Sequence, residues 1–261
     1  ALRVSTYALL QALAFMVGGL LSYRRLLTGG IPVDHATWGT FLTIQSGILG
    51  AFVVGRVDLL LTASFTLGGV LDRAESTFMG ALAFGLAFAA LYCRRFAIPF
   101  GRALDRICWP VALAQAIGRV ACSFAGCCYG RATDSWLGLY LPDVRGYWQV
   151  RYPTQLMSVG INLLIAVVLW TAEQHGVPRR GRDRGHRWPF PGFIILLHMQ
   201  LYTGKRFALE FLRGDVRPLL GPFTLTHVLA SGGILLATVL MVRGFVRTQA
   251  KGAPRTVQSA R

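Results

Sequence analysis

"ALDRICWPVALAQAIGRVACSFAGCCYGR", residues 103–131, decides how this chain is read. From Ile107 it runs mostly apolar for the roughly 20 residues that a membrane-spanning helix needs. Arg119 nevertheless stands about two turns before the end of that run, and Cys122, Cys127 and Cys128 crowd where it stops. An ionisable side chain inside a span costs several kcal/mol and marks a site or a buried pair. The stretch therefore reads as a membrane helix that carries chemistry at one end.

The composition agrees with a membrane setting. Hydrophobic residues make up 54% of the 261 and charged residues only 15%, with a mean hydropathy of +0.50. A soluble domain carries about 25% charged residues. Net charge is +16, but the basic residues sit in short clusters between apolar stretches. That is a topology pattern, and it excludes a nucleic-acid-binding face as the reason for the charge.

Seven stretches are long and apolar enough to span: 5–22, 37–55, 76–93, 107–126, 155–172, 191–212 and 223–242. The first begins almost at once and reads as a mature helix, without a cleavable signal peptide. "DLLLTASFTLGGVL" (58–71) is too short and reads as an interfacial or re-entrant piece. "GVPRRGRDRGHRWPFPG" (176–192) is a loop by its Pro, Gly and Arg content. The expected fold is an all-α integral membrane protein: one seven-helix domain over 1–248, and a disordered basic cytoplasmic tail over 249–261.

Seven spans divide the loops into two sets. Residues 23–36, 94–106, 173–190 and the tail after 242 hold 16 Lys and Arg with 4 acids; the other set holds 8 with 6. The positive-inside rule puts the richer set in the cytoplasm. The N-terminus and the 127–154 loop are thus expected outside and the C-terminus inside. Trp136, Tyr140, Tyr147 and Trp148 in that loop read as an interfacial aromatic set. His35, His175 and His186 read as solvated loop residues, and His198 and His227 as packing or capping residues.

In the sixth span Tyr202, Arg206, Glu210 and Arg213 recur at spacings of four, four and three. On a continuous helix they form one polar stripe. Glu210 is expected to pair with Arg206 or Arg213, which leaves positive charge over, and Arg119 adds to it. A guanidinium fork matches a phosphate. The expected site is a polar, arginine-containing cavity, open to the outer side and laterally to the bilayer. Its ligand would be an anionic lipid headgroup.

The chain resembles the prolipoprotein diacylglyceryl transferase family. That family's signature is Gly-Arg-x-Gly-Asn-Phe-x-Asn-Gly-Glu-x-x-Gly, matched here at Gly118, Arg119, Gly126 and Gly130. A following Arg-His-Pro-Ser/Thr-Gln-Leu segment is matched at Arg151, Pro153, Thr154, Gln155 and Leu156. The family's Tyr-Gly-x-x-Arg-Phe-x-x-Glu-Phe-x-Arg is matched at Tyr202, Arg206, Glu210, Phe211 and Arg213. The resemblance implies a seven-span bacterial inner-membrane enzyme without cofactor. Such an enzyme moves the diacylglyceryl group of phosphatidylglycerol to a lipobox cysteine of a prolipoprotein and releases glycerol phosphate. It implies that Arg119 and Arg206 hold the phosphate and stabilise the leaving group. Gly118, Cys122, Gly126, Tyr129, Gly130, Arg151, Gln155, Tyr202, Glu210 and Arg213 would form the substrate-binding surround.

Several family positions are altered, among them the usual Leu-Tyr-Glu after Pro-Thr-Gln, which is here Leu156, Met157 and Ser158. Met79, in "FMGALAFG", stands where the family has its histidine, and methionine cannot act as a base. Cys122 and Ala125 replace the signature asparagines, and Cys127 replaces the glutamate. Neither paired CxxC motifs nor HxxxH spacing is present, so spacing marks no metal site. The cysteines are open to three readings. Cys127 or Cys128 attacks the phospholipid as a nucleophile, Cys122 resolves one of them in a redox role, or all are small apolar fillers. A transfer to another acceptor and a non-catalytic phospholipid-binding protein are the alternative functions.

Overall fold

The computed structural model describes residues 5–61, 74–176, 190–215 and 218–252, with only the backbone described at 55–61, 74–79, 176, 218–220 and 250–252. Seven helices lie in these residues: α1 (Thr6–Thr28), α2 (Val33–Leu61), α3 (Ala74–Arg95), α4 (Phe100–Ala125), α5 (Thr154–Gly176), α6 (Phe193–Glu210) and α7 (Leu225–Gly252). Each overlaps one stretch picked out by its apolar run. Within α1, α2, α4, α5 and α7 lie segments long and apolar enough to cross a bilayer. Large apolar side chains such as Leu91, Leu164 and Leu235 point outward on the helices. That is what lipid, in place of water, permits.

The helices start and stop at local signals. Asp34 in the first turn of α2 suits its N-terminal dipole. α2 runs through Leu61, so residues 58–61 of the expected re-entrant piece continue that helix, and 62–71 lie outside the described residues. α4 begins at Phe100, earlier than its apolar run. Hydropathy marks only the part of a helix that needs lipid, and the polar first two turns of α4 escape that criterion. α6 ends at Glu210, so Arg213 is not on the helix as the stripe predicted. The turn is tightened by Leu212 N–H donating to the Leu209 carbonyl (3.0 Å) and Arg213 N–H to the Glu210 carbonyl (3.2 Å). Of the expected tail, 249–252 continue α7, and 253–261 lie outside the described residues.

The chain forms two compact units. One, residues 15–107, contains α2 and α3 packed antiparallel. Ser46 Oγ donates to the Phe84 carbonyl (3.1 Å) near the middle of the pair, and His35 Nδ1 lies 3.2 Å from the Tyr92 hydroxyl near one end. His35 is therefore a helical residue against Tyr92 and Phe96, not a solvated loop residue. Met79 lies on α3, with its side chain outside the described set.

The other unit, residues 1–14 and 108–261, packs α6 against both α5 and α7. Its core joins Cys108 and Ala112 of α4, Ile165, Ala166 and Leu169 of α5 and Ile194 of α6. Trp109 Nε1 donates to Glu173 Oε2 (2.9 Å) beside it. Between α4 and α5 stands an antiparallel hairpin, β1 (Leu139–Pro142) and β2 (Trp148–Arg151). Asp143 shapes its turn by accepting from the backbone N–H groups of Arg145 (2.9 Å) and Tyr147 (3.0 Å). Trp136, Tyr140, Tyr147 and Trp148 are exposed around it, with Tyr140 stacked on Trp148. A second small hairpin, β3 (Pro218–Leu220) with β4 (Phe223–Thr224), links α6 to α7. His227 accepts the Thr224 backbone N–H at Nδ1 (3.0 Å), a capping contact at the start of α7.

Candidate active site

The end of α4 sets the site. Gly126 leaves the helix with φ +66, the left-handed conformation in which helices commonly end. Its absent Cβ would meet the Asp143 carbonyl at 2.8 Å. Gly126→Ala is therefore expected to destabilise the protein by more than about 1 kcal/mol, from backbone strain and contact together. A lowered apparent melting midpoint in detergent would check it. Cys128 also takes a left-handed backbone, φ +58, which costs a non-glycine residue about 1–3 kcal/mol and needs support from its surroundings. Thr154 Oγ1 provides some by donating to the Cys128 carbonyl (2.8 Å), and Gln155 Nε2 donates to the Cys127 carbonyl (3.0 Å). Both supports come from the first turn of α5, so the Pro-Thr-Gln segment holds the cysteine turn.

The next residues stitch this turn to the end of α6. Gly130 and Arg213 form an isolated β-bridge, Gly214 N–H donates to the Tyr129 carbonyl (2.9 Å), and Arg131 N–H donates to the Leu212 carbonyl (2.8 Å). A Cβ at Gly130 would overlap the Tyr152 carbonyl. Arg151 is buried, paired with Asp143 (3.3 Å), and lies over the Tyr129 ring at 4.8 Å. At Gly118 a Cβ would meet Gln11 Oε1 at 2.8 Å, so α1 passes close to the signature helix there.

A narrow cavity is lined by Arg119, Cys128, Thr154, Gln155, Ser158, Lys205, Arg206, Leu209 and Arg213. The structure thus brings together both arginines singled out in the sequence, one of the adjacent cysteines and Gln155. Arg119 Nη1 donates to Cys128 Sγ (3.3 Å). Glu210, fully buried, faces Arg206 (3.4 Å) and Arg213 (3.8 Å), and its other oxygen accepts from Thr224 Oγ1 (2.9 Å). Asp215 takes Arg213 in a two-point pair at 2.8 Å each. Arg206 and Arg213 are therefore charge-compensated, whereas neither Arg119 nor Lys205 has a carboxylate partner among the described residues.

Lys205 escaped sequence reasoning. It is buried and donates to Asn162 Oδ1 (2.6 Å) and Ser158 Oγ (3.4 Å), with its ammonium over the Tyr202 ring at 4.4 Å. Tyr202 is thus a neighbour of Lys205 and is absent from the cavity lining. One signal could have found it: Lys205 is one of two lysines in a chain with 25 arginines, and it stands beside the Arg206 of the stripe.

The sulfur atoms of Cys122, Cys127 and Cys128 all lie within 4.8 Å of one another, and all three cysteines are free. Cys127 Sγ donates to the Cys122 carbonyl (3.8 Å). The Cys122 and Cys127 thiols beside it, with the nearby charges of Arg119 and Arg213, hold the Cys128 thiol below the ordinary thiol range. Cys93 and Cys108 are buried elsewhere, and Cys108 belongs to the apolar core.

The chain is similar to known proteins over most of its length. The family model described as prolipoprotein diacylglyceryl transferase matches residues 1–243. The chain is 27% identical to phosphatidylglycerol–prolipoprotein diacylglyceryl transferase 2 of Clostridium perfringens, over 96% of each chain. It is 28% identical to the phosphatidylglycerol–prolipoprotein diacylglyceryl transferase of Clostridium tetani, over 83% of each. With the enzyme of that name from Chlorobaculum tepidum it shares 25% identity over 81% of this chain and 75% of the relative.

Proposed function

Because the chain belongs to the prolipoprotein diacylglyceryl transferase family, we propose that it transfers a diacylglyceryl group from phosphatidylglycerol, or a similar anionic phospholipid, to a prolipoprotein cysteine. The apolar helices and the family make it a multi-pass membrane protein. The observation that carries the catalytic reading is the pair of cations without carboxylate partners, Arg119 and Lys205, in the cavity they share with Arg206 and Arg213. A partly or wholly buried charge without a counter-ion is costly. An anionic phosphate supplies that counter-ion.

In this reading Arg119 and Arg206 grip the phosphate as forks. The acceptor sulfur attacks the glycerol carbon that bears the phosphate ester. As the carbon–oxygen bond breaks, its electron pair passes to phosphate oxygen and the leaving group gains a second negative charge. Cations already aimed at that charge lower the barrier more than they favour the ground state. Lys205 adds a point charge. Glu210 and Asp215 hold Arg206 and Arg213 in place, and Tyr202 holds Lys205. Gly126 and Gly130 allow close backbone approach and Gly118 leaves room for the Gln11 side chain, while Arg151, Tyr129 and Gln155 brace the turn that brings Cys127 and Cys128 to Cys122. Water-sized space in the cavity is only about 20 Å³, room for one or two waters. Headgroup binding therefore includes an opening of the cavity toward the outer side and the bilayer.

Purified protein with labelled phosphatidylglycerol and a lipobox peptide tests the reading. The label should appear on the peptide cysteine and not on a peptide with serine in its place. Tight lipid binding without transfer to any acceptor would leave a non-catalytic phospholipid-binding protein. A second reading is favoured by Cys128 lining the cavity: Cys128, or Cys127 beside it, is itself alkylated. A thioether at an unactivated carbon is a poor leaving group, so this product would persist. Intact mass after incubation with lipid would show the adduct.

The topology that fits this function has seven spans in a bacterial plasma membrane, the N-terminus and the 127–154 loop outside and the C-terminus inside. Single cysteines placed at Ser135 and Thr248, in a background whose native cysteines have been blocked or removed, should label with an impermeant reagent from the outside and the inside respectively. The reverse pattern would refute the orientation.

A further inference from the structure

The transfer reading leaves one requirement unmet. The acceptor must attack as a thiolate, and the family's histidine position holds Met79. Close to the phosphate-gripping cations stand three free thiols that the transfer step does not use. We propose that Cys122, Cys127 and Cys128 hold a zinc-type divalent ion whose fourth position takes the acceptor cysteine as its thiolate. The inference rests on the transfer reading and adds a metal to it.

Geometry supports a three-sulfur site. A tetrahedral zinc with bonds of about 2.3 Å sets its sulfurs about 3.8 Å apart. The three sulfurs already lie within 4.8 Å of one another, so a movement of about 1 Å closes the site. Cys122 sits on the last turns of α4, and the left-handed residues Gly126 and Cys128 fold the chain back so that the adjacent thiols meet it. The strained backbone at Cys128 thereby gains a purpose. Thr154 and Gln155 grip the carbonyls of Cys128 and Cys127. Arg119 donates to Cys128 Sγ. Such contacts around a first coordination shell orient and tune its ligands.

Charge supports it too. Three thiolates around a divalent cation sum to one negative charge, which suits the neighbourhood of Arg119. Three protein ligands and one exchangeable position are the arrangement of catalytic rather than structural zinc. Soft thiolate ligands favour a thiophilic ion over magnesium or calcium. Cys128 also lines the cavity that holds Arg119 and Arg206, so nucleophile and phosphate would meet there.

The steps balance. On loading, the three ligand thiols release their protons to solvent. The acceptor thiol then displaces a zinc-bound water, and its proton passes to bulk water; a coordinated thiol is deprotonated outright. The sulfur lone pair forms the carbon–sulfur bond as the carbon–oxygen bond breaks, and glycerol phosphate leaves as a dianion. The product thioether is neutral, a weak ligand, and leaves the metal to water. No oxidant or reductant is consumed.

The test uses the full chain in detergent, reduced with a non-chelating phosphine. The expected result is one zinc per chain by elemental analysis, lost in Cys122→Ser, Cys127→Ser and Cys128→Ser. Cobalt in its place should show thiolate-to-metal absorption that changes when a lipobox cysteine peptide is added, and not with the serine peptide. Chelation should abolish transfer and zinc should restore it. Failure of the wild-type protein to bind either metal after reduction would overturn the proposal, whatever the variants do. So would a disulfide-linked triad that takes no metal once reduced, or transfer that persists unchanged in the triple cysteine variant. In that last case the transfer function stands and the metal fails. Metal that binds and takes the peptide thiol, with no lipid transferred, supports the site and refutes the transfer function.

Discussion

Arg119→Ala is expected to lower diacylglyceryl transfer about 100- to 1000-fold, the loss typical when one preorganised donor to a developing negative charge is removed. Arg119 is the signature arginine, it lines the cavity, and no carboxylate among the described residues compensates it. Its charge is therefore available to a ligand. Because the leaving phosphate gains charge only as the bond breaks, the loss should fall mainly on turnover. Arg119→Lys should recover only part of the activity, since an ammonium restores the charge without the fork. Initial rates of peptide labelling, with phospholipid binding measured alongside, would separate the two effects. An Arg119→Ala protein with unchanged turnover would remove Arg119 from the mechanism.

Glu210→Ala is expected to act on stability first. The carboxylate is fully buried, faces Arg206 and Arg213 and accepts from Thr224. Deleting it removes the carboxylate that Arg206 and Arg213 share, near two further cations, and leaves Arg213 to Asp215. Breaking a buried pair in this way costs about 3–5 kcal/mol. At a fixed scan rate the apparent melting midpoint in detergent should fall by roughly 10 °C. Glu210→Gln keeps an acceptor for Thr224 and should keep part of that loss back. A Glu210→Ala protein that melts like the parent would show that the ion pairs carry no net stability. Lipid added at saturating concentration should raise the variant's midpoint, because a bound phosphate replaces some of the missing negative charge.

The membrane character was legible because it rests on composition and run length. A run of about 20 apolar residues matches the thickness of the bilayer's hydrocarbon core, and each of the seven stretches overlaps a helix. Boundaries were less legible. The first turns of α4 are polar, so hydropathy does not mark them, and α2 continues into the stretch that reads as a separate piece. The stripe Tyr202–Arg206–Glu210–Arg213 follows from periodicity only on a continuous helix. That helix stops at Glu210, yet Arg213 still reaches the Glu210 carboxylate from the following turn.

Sequence by itself determined the family, the apolar stretches that form helices, and the two arginines with their nearby carboxylate, since these depend on residue types at set spacings. Tertiary structure alone decided the rest. It placed Lys205 beside Arg119 and left both without a carboxylate among the described residues. It split the polar stripe, giving Arg206 and Arg213 to Glu210 and Asp215 and turning Tyr202 toward Lys205. Above all it gathered Cys122, Cys127 and Cys128. Spacings of five and one fit no common metal motif, because the gathering is done by two left-handed residues and by hydrogen bonds from α5, some 26 residues or more downstream. Periodicity cannot report a backbone reversal held in place by side chains distant in the chain.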